Sequence, residues 1–204
     1  MNDGPPSPEN GGAPSEGQRF AIMIFATVMM AVLALLLASG ASIDLIAMTR
    51  FSPAGVWAGI AATAPLLLAL YWFIHTKVDA LAKFRRSQLD FFAEAGIEFT
   101  PMRIAVISLA AGVCEEMLFR GFLQTLFAAA AHPALAIVAS SLVFGALHMR
   151  TLLYAVISTI VGIYLGALFV ATNDLVAPMI CHGVYDVAAL AYTRHALMAR
   201  SDAP

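Results

Sequence analysis

The stretch CEEMLFRGF, residues 114–122, places three ionisable side chains within six positions of a region that is otherwise almost free of charge. They are Glu115, Glu116 and Arg120. Glu116 and Arg120 are four residues apart and therefore share one face of a helix, whereas Glu115 points about 100° away. Glu116 and Arg120 are predicted to pair, which leaves Glu115 available for acid–base chemistry or for metal binding.

The sequence around this stretch has the composition of a membrane protein. Of the 204 residues, 61% are hydrophobic and 12% are charged, whereas an average soluble domain has about 45–50% apolar and about 25% charged residues. Crossing ~30 Å of hydrocarbon takes about 20 apolar residues. The predicted fold class is all-α, a polytopic membrane helical bundle with about six transmembrane helices. The spans are predicted at residues 20–43, 56–74, 104–131, 134–148, 151–171 and 175–192.

Three regions follow one another along the chain. Residues 1–18, rich in Pro, Gly and Ser, are predicted to be a disordered tail. Residues 19–99 are predicted to hold two transmembrane helices and a basic segment, and residues 100–194 the membrane domain that carries the polar motifs. The first span also has a weak resemblance to a cleavable signal sequence, but its length favours a retained helix.

The basic segment, residues 77–103, carries five of the eleven Lys and Arg residues. A helix lying on the membrane surface and a solvated linker both fit its pattern. The positive-inside rule predicts that this segment and both termini are cytoplasmic in a multi-pass cell-membrane protein. The net charge of −2 and the absence of a Lys/Arg stripe argue against a nucleic-acid partner.

The third span is longer than the bilayer core requires. Residues 104–131, as a straight helix, would measure roughly 42 Å at 1.5 Å per residue. We therefore expect a tilt, or a break near Gly112 or Gly121. Cys114 and Cys181 lie in apolar segments and are predicted to be small buried residues.

Ionisable and aromatic side chains recur at a spacing of four in three of the predicted spans. The pairs are Glu116 with Arg120, Phe144 with His148, and His182 with Asp186. Each pair shares one helix face. An ionisable group inside a span costs at least ~2.5–3.5 kcal/mol at the helix centre, so these faces are expected to turn toward one another.

Two chemistries use these residues. In the first, Glu115 and one histidine polarise a water molecule that attacks a carbonyl group. In the second, Glu115, His148 and His182 hold a zinc ion with its fourth position open to water. Both lead to hydrolysis, and the sequence does not decide between a zinc-dependent and a metal-independent site. A transporter and a non-catalytic membrane scaffold or immunity protein are the alternatives to an enzyme.

The three pairs belong to ordered motifs that resemble those of a known family. EEMLFR at 115–120, FGALH at 144–148 and HGVYD at 182–186 are similar to the EExxxR, FxxxH and Hxxx(N/D) motifs of the CAAX-processing and bacteriocin-processing (Abi) intramembrane proteases. The resemblance covers roughly residues 100–192. It implies an all-helical membrane endopeptidase that opens toward the cytoplasm and cleaves a membrane-anchored protein or peptide.

The resemblance also implies roles for the motif residues. Glu115 would activate water with His148. Glu116 and Arg120 would brace the site, and His182 and Asp186 would orient or stabilise the tetrahedral intermediate. Asp186 stands where an Asn is often found, and an ionised Asp cannot donate a hydrogen bond to an oxyanion.

The predicted depths of these residues in the membrane conflict with a shared site. His148 falls near the cytoplasmic end of the fourth span, Glu115 near mid-membrane, and His182 in the outer half of the sixth. Catalysis requires them within a few ångströms of one another. Either the span boundaries are shifted, or some helices are short and end below the membrane surface.

Overall fold

The structure, a computed structural model, describes residues 13–201, and in that range it contains helices and no strands. The predicted all-α class is confirmed. Most of the predicted tail, residues 1–12, lies outside the described residues, and the first helix begins at Glu16. The helices are α1 (Glu16–Gly40), α2 (Leu45–Met48), α3 (Pro53–His75), α4 (Asp79–Ala95), α5 (Pro101–Glu116), a π-helix (Met117–Gln124), α6 (Thr125–Ala128), α7 (Pro133–Leu147), α8 (Leu152–Thr172) and α9 (Val176–Ser201).

Three helices of the described chain are long and apolar enough to cross a membrane by length and composition. They are α1, α3 and α8, and α7 is a shorter apolar helix of 15 residues. The continuous helix from α5 to α6 and the helix α9 occupy the other two predicted spans, and they carry most of the charged motif residues. A helical membrane bundle is therefore confirmed, while the number of six crossings stays a prediction.

Local sequence signals explain where several of these helices begin and end. The side chains of Ser15, Ser52, Thr100 and Thr151 each accept a hydrogen bond from a backbone N–H in the first turn of α1, α3, α5 and α8. Such N-caps satisfy donors that have no partner within the helix. Asn173 ends α8 in the left-handed conformation, with φ 51°, which Asn tolerates better than most residues.

The predicted break in the third span is a π-helix that contains Gly121. The wider turn from Met117 to Gln124 is continuous with α5 and α6, and the Thr125 hydroxyl donates to the Arg120 carbonyl at 3.2 Å. Arg120 and Gln124 are thereby both directed at α8, where they donate to the backbone carbonyls of Gly162 and Gly166, each at 3.1 Å. Insertions of this kind occur frequently at functional sites.

The helix α9 lies at the centre of the bundle and packs against α3 and α5, while α7 packs against α8. The backbones of α5 and α9 approach closely at Gly112. A Cβ at that position would lie 2.8 Å from the Met179 carbonyl oxygen and 2.9 Å from the Gly183 nitrogen. Glu116 on α5 and His182 on α9 lie close to this crossing, and His182 Nδ1 is 2.8 Å from Glu116 Oε1.

The basic segment contains the helix α4 rather than a linker. Its Phe84 and Leu89 are buried, and the Phe84 ring lies 5.7 Å from the ring of Tyr154 on α8. Asp90 accepts a hydrogen bond at 2.7 Å from Arg200 at the end of α9. The helix therefore docks against the start of α8 and the end of α9.

Asp174 joins the α2–α3 link to the start of α9. Its side chain is 1% exposed and accepts hydrogen bonds from the backbone N–H groups of Arg50 and Ser52 at 3.1 Å and of Val176 at 3.0 Å, and from the Ser52 hydroxyl at 2.7 Å. Burial opposes its ionisation, but these hydrogen bonds outweigh burial and lower the pKa of Asp174. Asp174 lies between the predicted spans at 151–171 and 175–192.

We expect Asp174→Ala to lower the free energy of unfolding by about 2–3 kcal/mol, because it leaves several buried N–H groups without an acceptor. Asp44→Ala is the control: it removes one exposed N-cap bond to Ala47 and should cost only about 1 kcal/mol. Since the folded pKa of Asp174 is lowered, its contribution is complete above its usual pKa of 3.8 and is lost as the pH falls through the folded value. Melting in detergent at several pH values measures both effects.

Candidate active site

The predicted pair of Glu116 and Arg120 is present at the centre of the bundle. Arg120 Nη1 donates to Glu116 Oε1 at 2.7 Å, and the two side chains are 1% and 0% exposed. Arg120 Nη2 donates to the Gly162 carbonyl oxygen, and the guanidinium carbon lies 4.8 Å from the centroid of the Phe144 ring. Both terminal nitrogens of Arg120 therefore make hydrogen bonds within the protein.

His182 lies between two carboxylates. Its Nδ1 is 2.8 Å from Glu116 Oε1, and its Nε2 is 3.6 Å from Asp186 Oδ2. Glu116, paired with Arg120, is an acceptor, so Nδ1 carries a proton and donates it. Glu116 thus fixes the orientation of the His182 ring, and Arg120 fixes Glu116.

His148 and Glu115 face each other across a gap. His148 Nδ1 lies 2.8 Å from the Phe144 carbonyl oxygen, which can only accept, so Nδ1 carries the proton. In the neutral ring, Nε2 then presents a lone pair 3.9 Å from Glu115 Oε2. Oε2 is buried and has no hydrogen-bond partner among residues 13–201. Two acceptors at this separation fit one water molecule that donates a hydrogen bond to each.

The helix α7 is short. Its 15 residues measure roughly 22 Å at 1.5 Å per residue, less than the ~30 Å hydrocarbon core. His148 follows directly as the C-cap residue. This length fits the second explanation for the conflict in predicted depth, a short and sunken helix, which stays a prediction.

Phe144 connects the two halves of the site. Its ring centroid lies 4.4 Å from that of His148 and 6.3 Å from that of His182. The structure thus gathers the six predicted residues into one cluster: Glu115, Glu116, Arg120, His148, His182 and Asp186. Their individual roles stay predictions.

The predicted zinc ligands do not form a recognisable metal centre. Across residues 13–201, no group of three or more His, Cys, Asp or Glu side chains is arranged to hold a metal ion. His182 directs Nδ1 at Glu116 rather than toward Glu115 and His148. The zinc set of Glu115, His148 and His182 therefore stays a prediction.

Two polar residues near the site were not identified from the sequence. Gln124 lies four residues after Arg120, so the same i, i+4 rule could have found it. Tyr154 lies at the start of α8, and its ring is 5.7 Å from the His148 ring, at 88°. Nothing in the local pattern distinguishes Tyr154 from an aromatic residue at a membrane interface.

Comparison with known proteins adds to this geometry. Residues 97–188 match the model of the family described as Type II CAAX prenyl endopeptidase Rce1-like. Over this segment the chain is similar to the Rce1-like family. The resemblance drawn from the three motifs is confirmed over this segment.

The Rce1-like segment contains all six clustered residues, whereas α1 to α4 precede it. Over 86 residues the chain is 35% identical to the uncharacterized protein YpbD of Bacillus subtilis (strain 168). That match covers 41% of the chain and 41% of the relative, so it spans less than half of the relative's own length. No solved structure matches the chain.

Proposed function

We propose that this protein is an intramembrane endopeptidase that hydrolyses a peptide bond of a membrane-associated protein or peptide. The observation that carries the proposal is the pair of facing acceptors, Glu115 Oε2 and His148 Nε2, 3.9 Å apart inside a helical bundle. Such a pair can hold and deprotonate a water molecule. The Rce1-like match supports a peptide bond as the bond that this water attacks.

In the proposed reaction, Glu115 takes a proton from the water while the water oxygen attacks the carbonyl carbon of the scissile bond. The electron pair of the C=O bond moves to oxygen and forms the oxyanion. When the intermediate collapses, the C–N bond breaks and the proton passes from Glu115 to the leaving nitrogen. His148 holds the water through Nε2, and its Nδ1–H stays bonded to the Phe144 carbonyl.

The inner residues hold this machinery in place. Arg120 neutralises Glu116, and Glu116 orients His182 by accepting from Nδ1. His182 Nε2 then faces Asp186, 3.6 Å from its Oδ2. Arg120 and Glu116 act through His182, so they are positioning residues. The His182 imidazole stabilises the negative charge that develops on the oxyanion.

The proposed substrate is either a prenylated CAAX-type protein or a membrane-bound leader peptide, processed at the cytoplasmic side. The test is to incubate the purified protein in detergent with a farnesylated peptide ending in a CAAX sequence and to detect fragments by mass spectrometry. Cleavage with addition of one water across the two fragments is expected. Parallel samples with a chelator and with added zinc test the predicted zinc dependence. Failure to cleave this peptide and a panel of membrane-bound leader peptides would contradict the proposal.

The proposed substrates require that the site opens to the cytoplasm. We expect position 86 and both termini to lie on that side, because the segment 77–103 holds five of the eleven basic residues. The measurement is thiol labelling of Asn10→Cys, Arg86→Cys and Asp202→Cys in intact cells, after Cys114 and Cys181 have been replaced by Ala. All three should react with an impermeant reagent only once the membrane is opened.

Labelling of position 86 in intact cells would reverse the orientation. If only one terminus became labelled, the number of spans would be odd, and six would be wrong. Either result would place the proposed substrates on the wrong side of the membrane or require a different route to the site.

A further inference from the structure

Peptide hydrolysis at this site needs hydrogen-bond donors to the oxyanion, and the motif residues supply only part of them. A preorganised donor aimed at the oxyanion is usually one of the largest contributions to catalysis. The two terminal nitrogens of Arg120 already donate to Glu116 and to Gly162. His182 donates from Nδ1 to Glu116, which leaves its Nε2, 3.6 Å from Asp186 Oδ2, as the one donor position of the histidine toward an oxyanion. An ionised Asp186 accepts hydrogen bonds and cannot donate one.

Tyr154 packs its ring against His148, one of the two residues that face the proposed water. Its ring lies edge to face with His148, 5.7 Å between centroids and 88° between planes. The charged side chains whose fields reach its hydroxyl include Asp186 and Glu115. In the described part of the chain the hydroxyl has no hydrogen-bond partner, although the Tyr154 backbone N–H donates to Thr151 Oγ1 at 3.1 Å.

The surroundings of Tyr154 hold its ring in place without using its hydroxyl. Phe84 of α4 packs against it at 5.7 Å between ring centroids, and the Arg150 guanidinium carbon lies 5.9 Å from the centroid of the ring. Thr151 caps the first turn of α8 and so fixes the backbone at this position. The side chain is half-buried, so part of it is exposed and open to contact with a substrate.

We propose that the Tyr154 hydroxyl donates a hydrogen bond to the oxyanion during peptide hydrolysis, an inference that rests on the proposed function. When the water attacks, its oxygen lies about 3–3.5 Å from the carbonyl carbon. The proposed water is held by the His148 imidazole, and the ring of Tyr154 packs against that imidazole. No proton is transferred in this step. The phenol donates to the oxygen that receives the C=O electron pair, and releases it when the C–N bond breaks. Tyr154 thereby supplies the hydrogen bond to the oxyanion that an ionised Asp186 cannot donate.

The test compares three tyrosine-to-phenylalanine variants in cleavage of the farnesylated CAAX-type peptide. Each substitution keeps the ring, so packing is preserved while the hydroxyl is removed. Tyr154→Phe should lower kcat by about 10²-fold, the usual cost of removing one oxyanion donor, with KM changed by less than about twofold. Its melting temperature should stay at the wild-type value, since its hydroxyl has no partner in the described chain.

Tyr164→Phe is the matched control on the same helix. The Tyr164 hydroxyl donates to the Ala62 carbonyl oxygen at 2.8 Å, so this variant should melt lower yet keep the wild-type kcat. Tyr185→Phe tests the other phenol near Asp186 and should leave kcat within about threefold.

The outcomes separate this inference from the proposed function. If the wild-type protein cleaves the peptide and Tyr154→Phe keeps its kcat, Tyr154 is not a donor, although the endopeptidase proposal stands. A rise in KM alone, or a loss of kcat in Tyr185→Phe instead, also overturns the assignment to Tyr154. If neither the wild-type protein nor Tyr154→Phe cleaves any peptide tested, both proposals fail.

Discussion

Glu115→Gln is expected to reduce cleavage by about 10²–10⁴-fold, the usual cost of losing a general base. Glutamine has the shape of glutamate but cannot take a proton from water. The melting temperature in detergent should be equal to or slightly above the wild-type value, because the substitution removes a buried carboxylate oxygen that has no partner in residues 13–201. Single-turnover cleavage of the farnesylated peptide measures the loss.

Glu94→Gln is the matched control for this variant. Glu94 is an exposed carboxylate on α4, so its substitution changes the net charge by the same amount without touching the site. Wild-type rates are expected for Glu94→Gln. Near wild-type turnover in Glu115→Gln would rule out Glu115 as the base.

Arg120→Ala is expected to lower the free energy of unfolding by ~3–5 kcal/mol, because it leaves Glu116 as a buried charge without its cation. For a chain of this size the melting temperature should fall by roughly 6 °C or more. Arg120→Lys should recover only part of the loss, because an ammonium group cannot reach Glu116 and the Gly162 carbonyl with the geometry of the guanidinium. Thermal melting in detergent measures both variants.

Two further variants show whether the loss comes from an unpaired charge. Arg86→Ala removes an exposed arginine of α4 and should leave the melting temperature nearly unchanged. The double variant Glu116→Gln with Arg120→Met removes both charges and should be more stable than Arg120→Ala alone. An unchanged melting temperature in Arg120→Ala would mean that the Glu116–Arg120 pair does not contribute to stability.

The sequence predicts the local part of the site well. The Glu116–Arg120 pair follows from a spacing of four on one helix, and the break in the third span follows from its excess length and from Gly121. Helical segments and their caps are similarly local. These features depend on residues that are neighbours in the chain, so periodicity and turn chemistry are sufficient to find them.

Periodicity and turn chemistry could not predict the contacts between distant parts of the chain. The distance from Glu115 to His148 depends on how far α7 extends and on how closely α5 and α9 cross at Gly112. Asp174 meets Arg50 and Ser52 across more than 120 positions of sequence. Such contacts are set by packing, for which a single sequence gives no periodic signal.

The central proposal, that Glu115 and His148 act on one water molecule, is tested most directly by a double-mutant cycle. The rate of peptide cleavage is measured for Glu115→Gln, His148→Ala and the variant that carries both substitutions. Residues that act as one unit are strongly non-additive. We expect the double variant to be no slower than the slower of the two single variants. If the two losses multiply, Glu115 and His148 contribute independently, and a shared water is excluded.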